Sequence, residues 1–228
     1  MREEWITSRK NPLLVQIRRL ASSRGARRSA GMFLGDGVKL LEEALKWGAP
    51  LETVVYSEGL DGPELPPEVR TVRVPEDVMA SISPMESPQG ALFLCRMWDT
   101  APPPRLEGGR YLVLDGLQDP GNVGTIWRTA DALEADGLLL VHGCADPFGP
   151  KVVRATMGAC FRLPVWETGP ERLAGLLERS GLALYATALR EDTEDIKTAD
   201  LSRSAVVIGS EGRGVSPELL AMSQRALK

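Results

Sequence analysis

The 228-residue chain is 43% hydrophobic and 25% charged, enough to bury one large core or two modest ones, and two are expected. No apolar run approaches the roughly 20 residues of a membrane-spanning helix, and the charged N-terminus carries no hydrophobic signal segment, so a soluble, cytoplasmic protein with no membrane partner is expected. Three widely spaced cysteines, Cys95, Cys144 and Cys160, make no recognisable zinc pattern with the single histidine, His142, so buried thiols and no metal are expected.

The net charge of −4 would argue mildly against nucleic acid if it were evenly spread, and it is not. Residues 1–30 hold eight basic side chains (Arg2, Arg9, Lys10, Arg18, Arg19, Arg24, Arg27, Arg28) against Glu3 and Glu4, which makes this segment +6 and the remainder −10. A basic arm on an acidic body suits a phosphate backbone, and charge alone fits a solvated basic helix equally well. The run RGARRS, Arg24 to Ser29, shifts the balance slightly toward a polyanion, because its arginines sit in a flexible Gly/Ser context.

In chain order, Asn11 and Pro12 read as N-cap and first helical residue, continued by Leu13, Leu14, Ile17 and Leu20. A short strand near Met32 to Leu34, an amphipathic helix from Val38 to Trp47 stopped by Gly48, and an alternating strand from Leu51 to Tyr56 follow. A strand from Val72 to Val74, a helix from Pro75 to about Ile82 and a strand from Ala91 to Met97 complete a small α/β unit over 1–98. The stretch 99–109, with three consecutive prolines and then two glycines, reads as a linker that is stiff at its start and loose at its end.

Residues 110–228 alternate strand and helix: Tyr111 to Leu114, Val123 to Leu133, Gly137 to Val141, Lys151 to Gly158, Pro170 to Ser180, Leu182 to Thr187 and Ala205 to Gly209. Such alternation predicts a parallel sheet covered by helices, with ligands at the carboxyl ends of the strands. Two glycine-rich loops fall at such ends. In the first, Pro120, Gly121, Asn122 and Gly124 build a loop that lets a ligand approach the backbone, ahead of a helix with Ile126, Trp127, Ala130 and Leu133 on its apolar stripe. Gly124, Arg128 and Asp131 fall on the opposite side, so the Arg128 guanidinium is expected to reach back toward Asn122 and the free N–H groups of the first turn, a composite suited to an anion or ribose-phosphate. In the second, VVIGSEGRGVSPEL, an apolar strand ends in Gly209, Gly212 and Gly214 with Glu211 among them, and Ser216 and Pro217 then start a helix. Neither a Walker phosphate loop nor a dinucleotide fingerprint is present.

Read together, N-x-G-x-x-x-R-T-A (Asn122 to Ala130) and I-G-S-E-G-R-G (Ile208 to Gly214), roughly eighty residues apart, resemble motifs one and two of the SpoU-type, TrmH-like branch of the SPOUT superfamily. PKVVRATMGACFRLPV (Pro150 to Val165) resembles that family's linking helix and strand, and FLGDGVKLLEEAL (Phe33 to Leu45) the opening of its RNA-substrate-binding domain. The resemblance implies an α/β fold in which a small ribosomal-protein-like domain (1–98) precedes a trefoil-knot SPOUT domain (110–228), acting as an S-adenosylmethionine-dependent RNA ribose 2'-O-methyltransferase and as a homodimer. The two-domain layout leans toward ribosomal rather than transfer RNA as partner. The family's third motif, a Pro-containing loop, a Ser-Leu-Asn run and a final helix, would begin just after Lys228, so a native chain continuing past that point is expected.

The resemblance makes Arg128 catalytic. An arginine is a poor proton acceptor, so its expected part is to orient the ribose and adjacent phosphate and to stabilise the developing alkoxide, with the proton passing to phosphate or solvent. Asn122 is expected to fix the loop and to bond Arg128 or substrate. Thr187, Leu189, Gly209, Glu211 and Gly212 are expected at the cofactor, and Arg24, Arg27, Arg28 and Arg154 at RNA, with a surface salt bridge an equal reading for Arg154. Two other functions fit part of the pattern: a non-catalytic RNA-binding protein derived from this family, and an unrelated α/β nucleotide-binding enzyme.

Overall fold

The computed structural model describes residues 4–189 and 193–228, and the chain packs as two units. The first runs to Trp98 and takes in Asp146–Phe161, while the second comprises Asp99–Ala145 and Arg162–Lys228. Residues 146–161 thus pack with the first unit although they fall within the 110–228 span.

The first unit is a five-stranded mixed sheet in the order β1-β4-β3-β5-β2, with β1 Glu4–Trp5, β2 Met32–Asp36, β3 Leu51–Ser57, β4 Arg70–Val74 and β5 Ala91–Arg96. Its helices are α1 Pro12–Ser22, α2 Arg24–Ala30, α3 Val38–Lys46 and α4 Glu76–Ile82. As Asn11 and Pro12 predict, α1 starts with the Asn11 side chain accepting from the Leu13 N–H at 2.9 Å and proline at its first position. Leu14, Ile17 and Leu20 of α1 pack on Leu34, Val55, Val72 and Leu92 of the sheet, which is where the 3.6-residue and two-residue periodicities meet in one core. The basic run departs from expectation. RGARRS is not a flexible segment but most of α2, capped by Ser23, whose hydroxyl accepts from the Ala26 N–H at 3.1 Å, and ended by Gly31 at φ 63°. Arg2, the first charge of the basic segment, lies outside the described residues.

The second unit is a six-stranded, wholly parallel sheet in the order β11-β9-β10-β6-β7-β8. Its strands are β6 Arg110–Asp115, β7 Gly137–Val141, β8 Val165–Glu167, β9 Ala183–Thr187, β10 Ser204–Gly209 and β11 Arg225–Leu227. Helices α5 Pro120–Ala132, α7 Pro170–Ser180 and α8 Pro217–Met222 belong to it, while α6 Pro150–Ala155 lies in the first unit. Leu173, Leu176, Leu177 and Leu219 cover the sheet residues Val113, Leu139, Leu184 and Val207. From β6 the chain crosses to β7 on one side, while β10 lies on the other, so the strand order reverses between β6 and β10. In an open parallel sheet that reversal point, at the carboxyl ends of the strands, is where a crevice opens. Asp115 and Gly209 are paired at that end.

Three further stretches differ from the sequence expectation. Helix α5 begins at Pro120 rather than Val123, because Asp119 caps it, accepting from the Asn122 N–H at 2.8 Å, and Pro120 takes the first position, so Gly121, Asn122 and Gly124 are helical rather than loop. Its buried stripe is Val123, Gly124, Trp127 and Ala130, with Leu133 exposed, and the Trp127 Nε1–H donates to the Leu163 carbonyl at 3.0 Å. Helix α6 stops at Ala155, short of Gly158, where Met157 at φ 50° and Gly158 at φ 92° break it. The 99–109 stretch has no regular structure but is pinned, not loose, at its end: Leu106 is buried and its N–H donates to Ser180 Oγ at 2.9 Å.

Candidate active site

The crevice at the reversal point is built by three strand ends. β6 ends in Asp115, β7 is followed by His142, and β10 delivers Gly209 and the turn beyond it. That turn closes on itself: the Gly214 N–H donates to the Ser210 carbonyl at 2.8 Å, Gly214 stands at φ 67°, and a Cβ on Gly209 would run into the backbone of Gly214 and Val215. Glycine at 209 is therefore a steric requirement of the returning chain. Gly212, by contrast, has open space around it, and Glu211 is exposed at the turn's crest.

The two sequence motifs meet here. Asn122 in the first turn of α5 donates from Nδ2 to Glu211 Oε1 at 2.7 Å. Both are thereby oriented, and among the described residues the other Glu211 oxygen has no partner, which lets it accept from a hydroxyl or amine. Arg128, on the exposed side of the same helix, has no side-chain partner among the described residues, so its guanidinium is not committed to the protein.

Beside the turn lies a cavity of about 460 Å³ lined by Thr187, Ala188, Leu189, Ile196, Gly214, Leu227 and Lys228. Its volume falls in the usual range for small-molecule sites. Thr187 is held at the end of β9 by its hydroxyl donating to the Val207 carbonyl at 2.8 Å. Leu189 is 94% exposed, so an apolar ligand face entering here would cover it. An apolar wall, a glycine turn and exposed backbone at strand ends fit an adenosyl group carrying a polar amino-acid tail. Of the residues expected at a cofactor, Thr187 and Leu189 line this cavity, whereas Gly209 shapes the turn from behind and Glu211 and Gly212 stand at its crest.

His142 was not singled out by the sequence as a site residue, yet it sits in this crevice at φ 54°. Its Nδ1 is 2.6 Å from Asp115 Oδ1, and its Nε2 is 3.2 Å from Glu218 Oε2. The hydrogen bond to Asp115 is the main reason its pKa is raised above 6.5, with Glu218 adding to it and partial burial opposing. The three thiols are buried: Cys144 contacts the Leu114 and Val141 carbonyls, and desolvation pushes Cys95 up to about 12, which makes it inert as a nucleophile.

The residues expected at RNA all lie in the first unit, and one is overturned. Arg27 is 5% exposed, with Nη2 at 2.6 Å and Nε at 2.9 Å from Asp146 Oδ2 and Nη1 at 2.6 Å from the Leu20 carbonyl. It is a buried structural cation that cannot reach a polyanion, because the helical phase of α2 turns it inward. Arg24 and Arg28 are exposed on that helix, Arg28 lying over the Phe148 ring at 5.4 Å. Arg154 is exposed, and its guanidinium donates to Met85 Sδ; burial raises the pKa of the nearby buried Asp36, with the Ser83 hydrogen bond and the Arg154 charge opposing that rise.

Comparison with known proteins agrees with this geometry. Residues 109–228 match the SpoU rRNA Methylase family, and residues 11–92 match the MRM3-like substrate binding domain. The chain is 36% identical to an uncharacterised tRNA/rRNA methyltransferase of Synechocystis, covering 96% of this chain and 82% of the relative. It is 32% identical to the 23S rRNA (guanosine(2553)-2'-O)-methyltransferase RlmP of Bacillus subtilis, covering 94% of this chain and 86% of the relative. The AdoMet-bound crystal structure of an rRNA methyltransferase from Sinorhizobium meliloti superposes with a TM-score of 0.84 at 29% identity, over 98% of this chain and 87% of that one. The parallel sheet, the crevice with its paired motifs and these matches agree: the chain belongs to the SpoU rRNA Methylase family.

Proposed function

We propose that this protein methylates a ribose 2'-hydroxyl of ribosomal RNA, with S-adenosylmethionine as methyl donor. The observation that carries the reading is the Asn122–Glu211 hydrogen bond, which joins the two motifs beside a cavity of fitting size. Relatives support it: RlmP is named for 2'-O-methylation of a 23S rRNA guanosine, and the Sinorhizobium enzyme binds AdoMet in its crystal structure.

Thr187, Leu189 and Gly214 would hold the donor, which supplies an electrophilic methyl group when bound. The chain's own task is then alignment and charge stabilisation. Arg128 orients the ribose and its adjacent phosphate, and its guanidinium offsets the negative charge growing on the 2'-oxygen. Asn122 keeps Glu211 in place at the crest of the turn. The proton leaves to phosphate or solvent, since the guanidinium stays charged throughout.

Arg24, Arg28 and Arg154 are the proposed RNA contacts of the first unit, a substrate-binding domain over 1–98 joined through 99–109 to the methyltransferase domain. The reading includes action as a homodimer in the cytoplasm. Ribose-methylation mapping of RNA from cells with and without the gene tests it: one 2'-O-methyl group on ribosomal RNA is expected to vanish, and an unchanged ribosomal pattern would overturn the assignment.

A further inference from the structure

The Ser210–Gly214 turn is a wall shared by two cavities. Gly214 lines the one beside Thr187 and also a second, of about 520 Å³, in which Asp115, His142, Arg213 and Glu218 take part. Whatever fixes the turn from the second side therefore sets its shape on the first.

A chain of polar contacts closes that second side. Asp115, whose side chain is only 3% exposed, accepts the Ser216 N–H on one oxygen at 2.6 Å and meets His142 Nδ1 with the other at 2.6 Å. His142 Nε2 then reaches Glu218 on the first turn of α8 at 3.2 Å. Carboxylate, imidazole and carboxylate thus run from the ends of β6 and β7 to the helix that follows the turn. Carboxylate oxygens as buried as those of Asp115 need donors, and the contacts named here supply them.

We infer that Asp115 and His142 are positioning residues for the methyl donor: they latch the chain behind the Ser210–Gly214 turn, and the latch is complete only while the imidazole carries both of its protons. The inference rests on the methyl-transfer reading above. The charged groups facing His142 are Asp115 from β6 and Glu218 from α8, with Arg213 of the turn lining the same cavity. With both protons, Nδ1–H donates to Asp115 and Nε2–H to Glu218. As pH rises through the raised His142 pKa, Nε2 loses its proton, a lone pair faces the Glu218 carboxylate, and that link opens, while the Asp115 link survives. A donor that binds the latched form must, by reciprocity, hold that proton more tightly.

Because His142 is the only histidine, its ring resonances are unambiguous in a ¹H–¹³C NMR titration. Adding S-adenosylmethionine is expected to displace the titration midpoint upward by about half a pH unit, and calorimetry to show donor affinity falling about threefold as the pH rises through it. In Glu218→Gln, an exposed position, both effects shrink while the fold is retained. Donor binding that leaves the His142 titration unmoved would overturn the latch. No donor binding at any pH would overturn the methyl-transfer reading itself.

Discussion

Asn122 and Glu211, 89 positions apart in the chain, are joined by a hydrogen bond of 2.7 Å between the first turn of one helix and the crest of a glycine turn. This bond converts two local motifs into one site. Replacing Asn122 with alanine is expected to lower kcat/KM about tenfold, the usual weight of a hydrogen bond to a charged group. Thermal stability should change by under about 1 kcal/mol, because both partners are partly exposed. The double variant Asn122→Ala with Glu211→Ala should be no worse than the poorer single variant, as steady-state kinetics of the four proteins will show.

Arg128 supports a sharper separation of roles. Its side chain is exposed and bonds nothing among the described residues, so Arg128→Ala should leave the melting temperature unchanged. The same change is expected to reduce kcat by about 10² to 10³, as loss of a charge-stabilising donor does, while donor affinity by calorimetry stays within a few-fold. Equal loss of both would mean that the residue shapes the donor site instead.

The arginines of α2 divide by burial. Arg27→Ala strips a buried partner from Asp146 and is expected to destabilise the fold by about 3–5 kcal/mol in denaturant titrations. Arg24→Ala and Arg28→Ala, both at exposed positions, should cost far less stability than Arg27→Ala, with Arg28 losing its contact over the Phe148 ring. Each is expected to weaken RNA binding and to reduce the slope of log affinity against log salt by about one, a pattern Arg27 cannot show.

Gly209→Ala tests the turn by steric means. The added methyl would meet the backbone of Gly214 and Val215, which cannot swing aside as a side chain can. Donor affinity is expected to fall at least tenfold, with a loss of stability of about 1–3 kcal/mol from the overpacked strand end. Gly212→Ala, with nothing near the new methyl, serves as the steric control and should leave stability unchanged.

Much of this was legible in the residues. Asn11 with Pro12, and Ser216 with Pro217, start helices where their chemistry says they must, and the alternation after Gly109 gives a parallel sheet. The meeting of motifs was legible only through their resemblance to a family, since no local rule pairs Asn122 with Glu211. Other features escaped for definite reasons. Arg27 looks like any other arginine of a Gly/Ser-rich run, and its burial depends on Asp146, 119 positions away. Gly121 and Gly124 suggest a loop, and that suggestion masked the stronger capping signal of Asp119 and Pro120. β11 is three residues long and exists because β9 offers an edge, and the site position of His142 depends on partners 27 and 76 positions away.

The central claim is transfer of a methyl group from S-adenosylmethionine to a ribose oxygen of RNA. Its most direct test is incubation of the protein with ribosomal RNA and methyl-deuterated S-adenosylmethionine, followed by mass spectrometry of the released nucleosides. The label is expected on a single 2'-O-methylnucleoside and to disappear with Arg128→Ala. Label on a base, or bound donor with no label in RNA, would contradict the account.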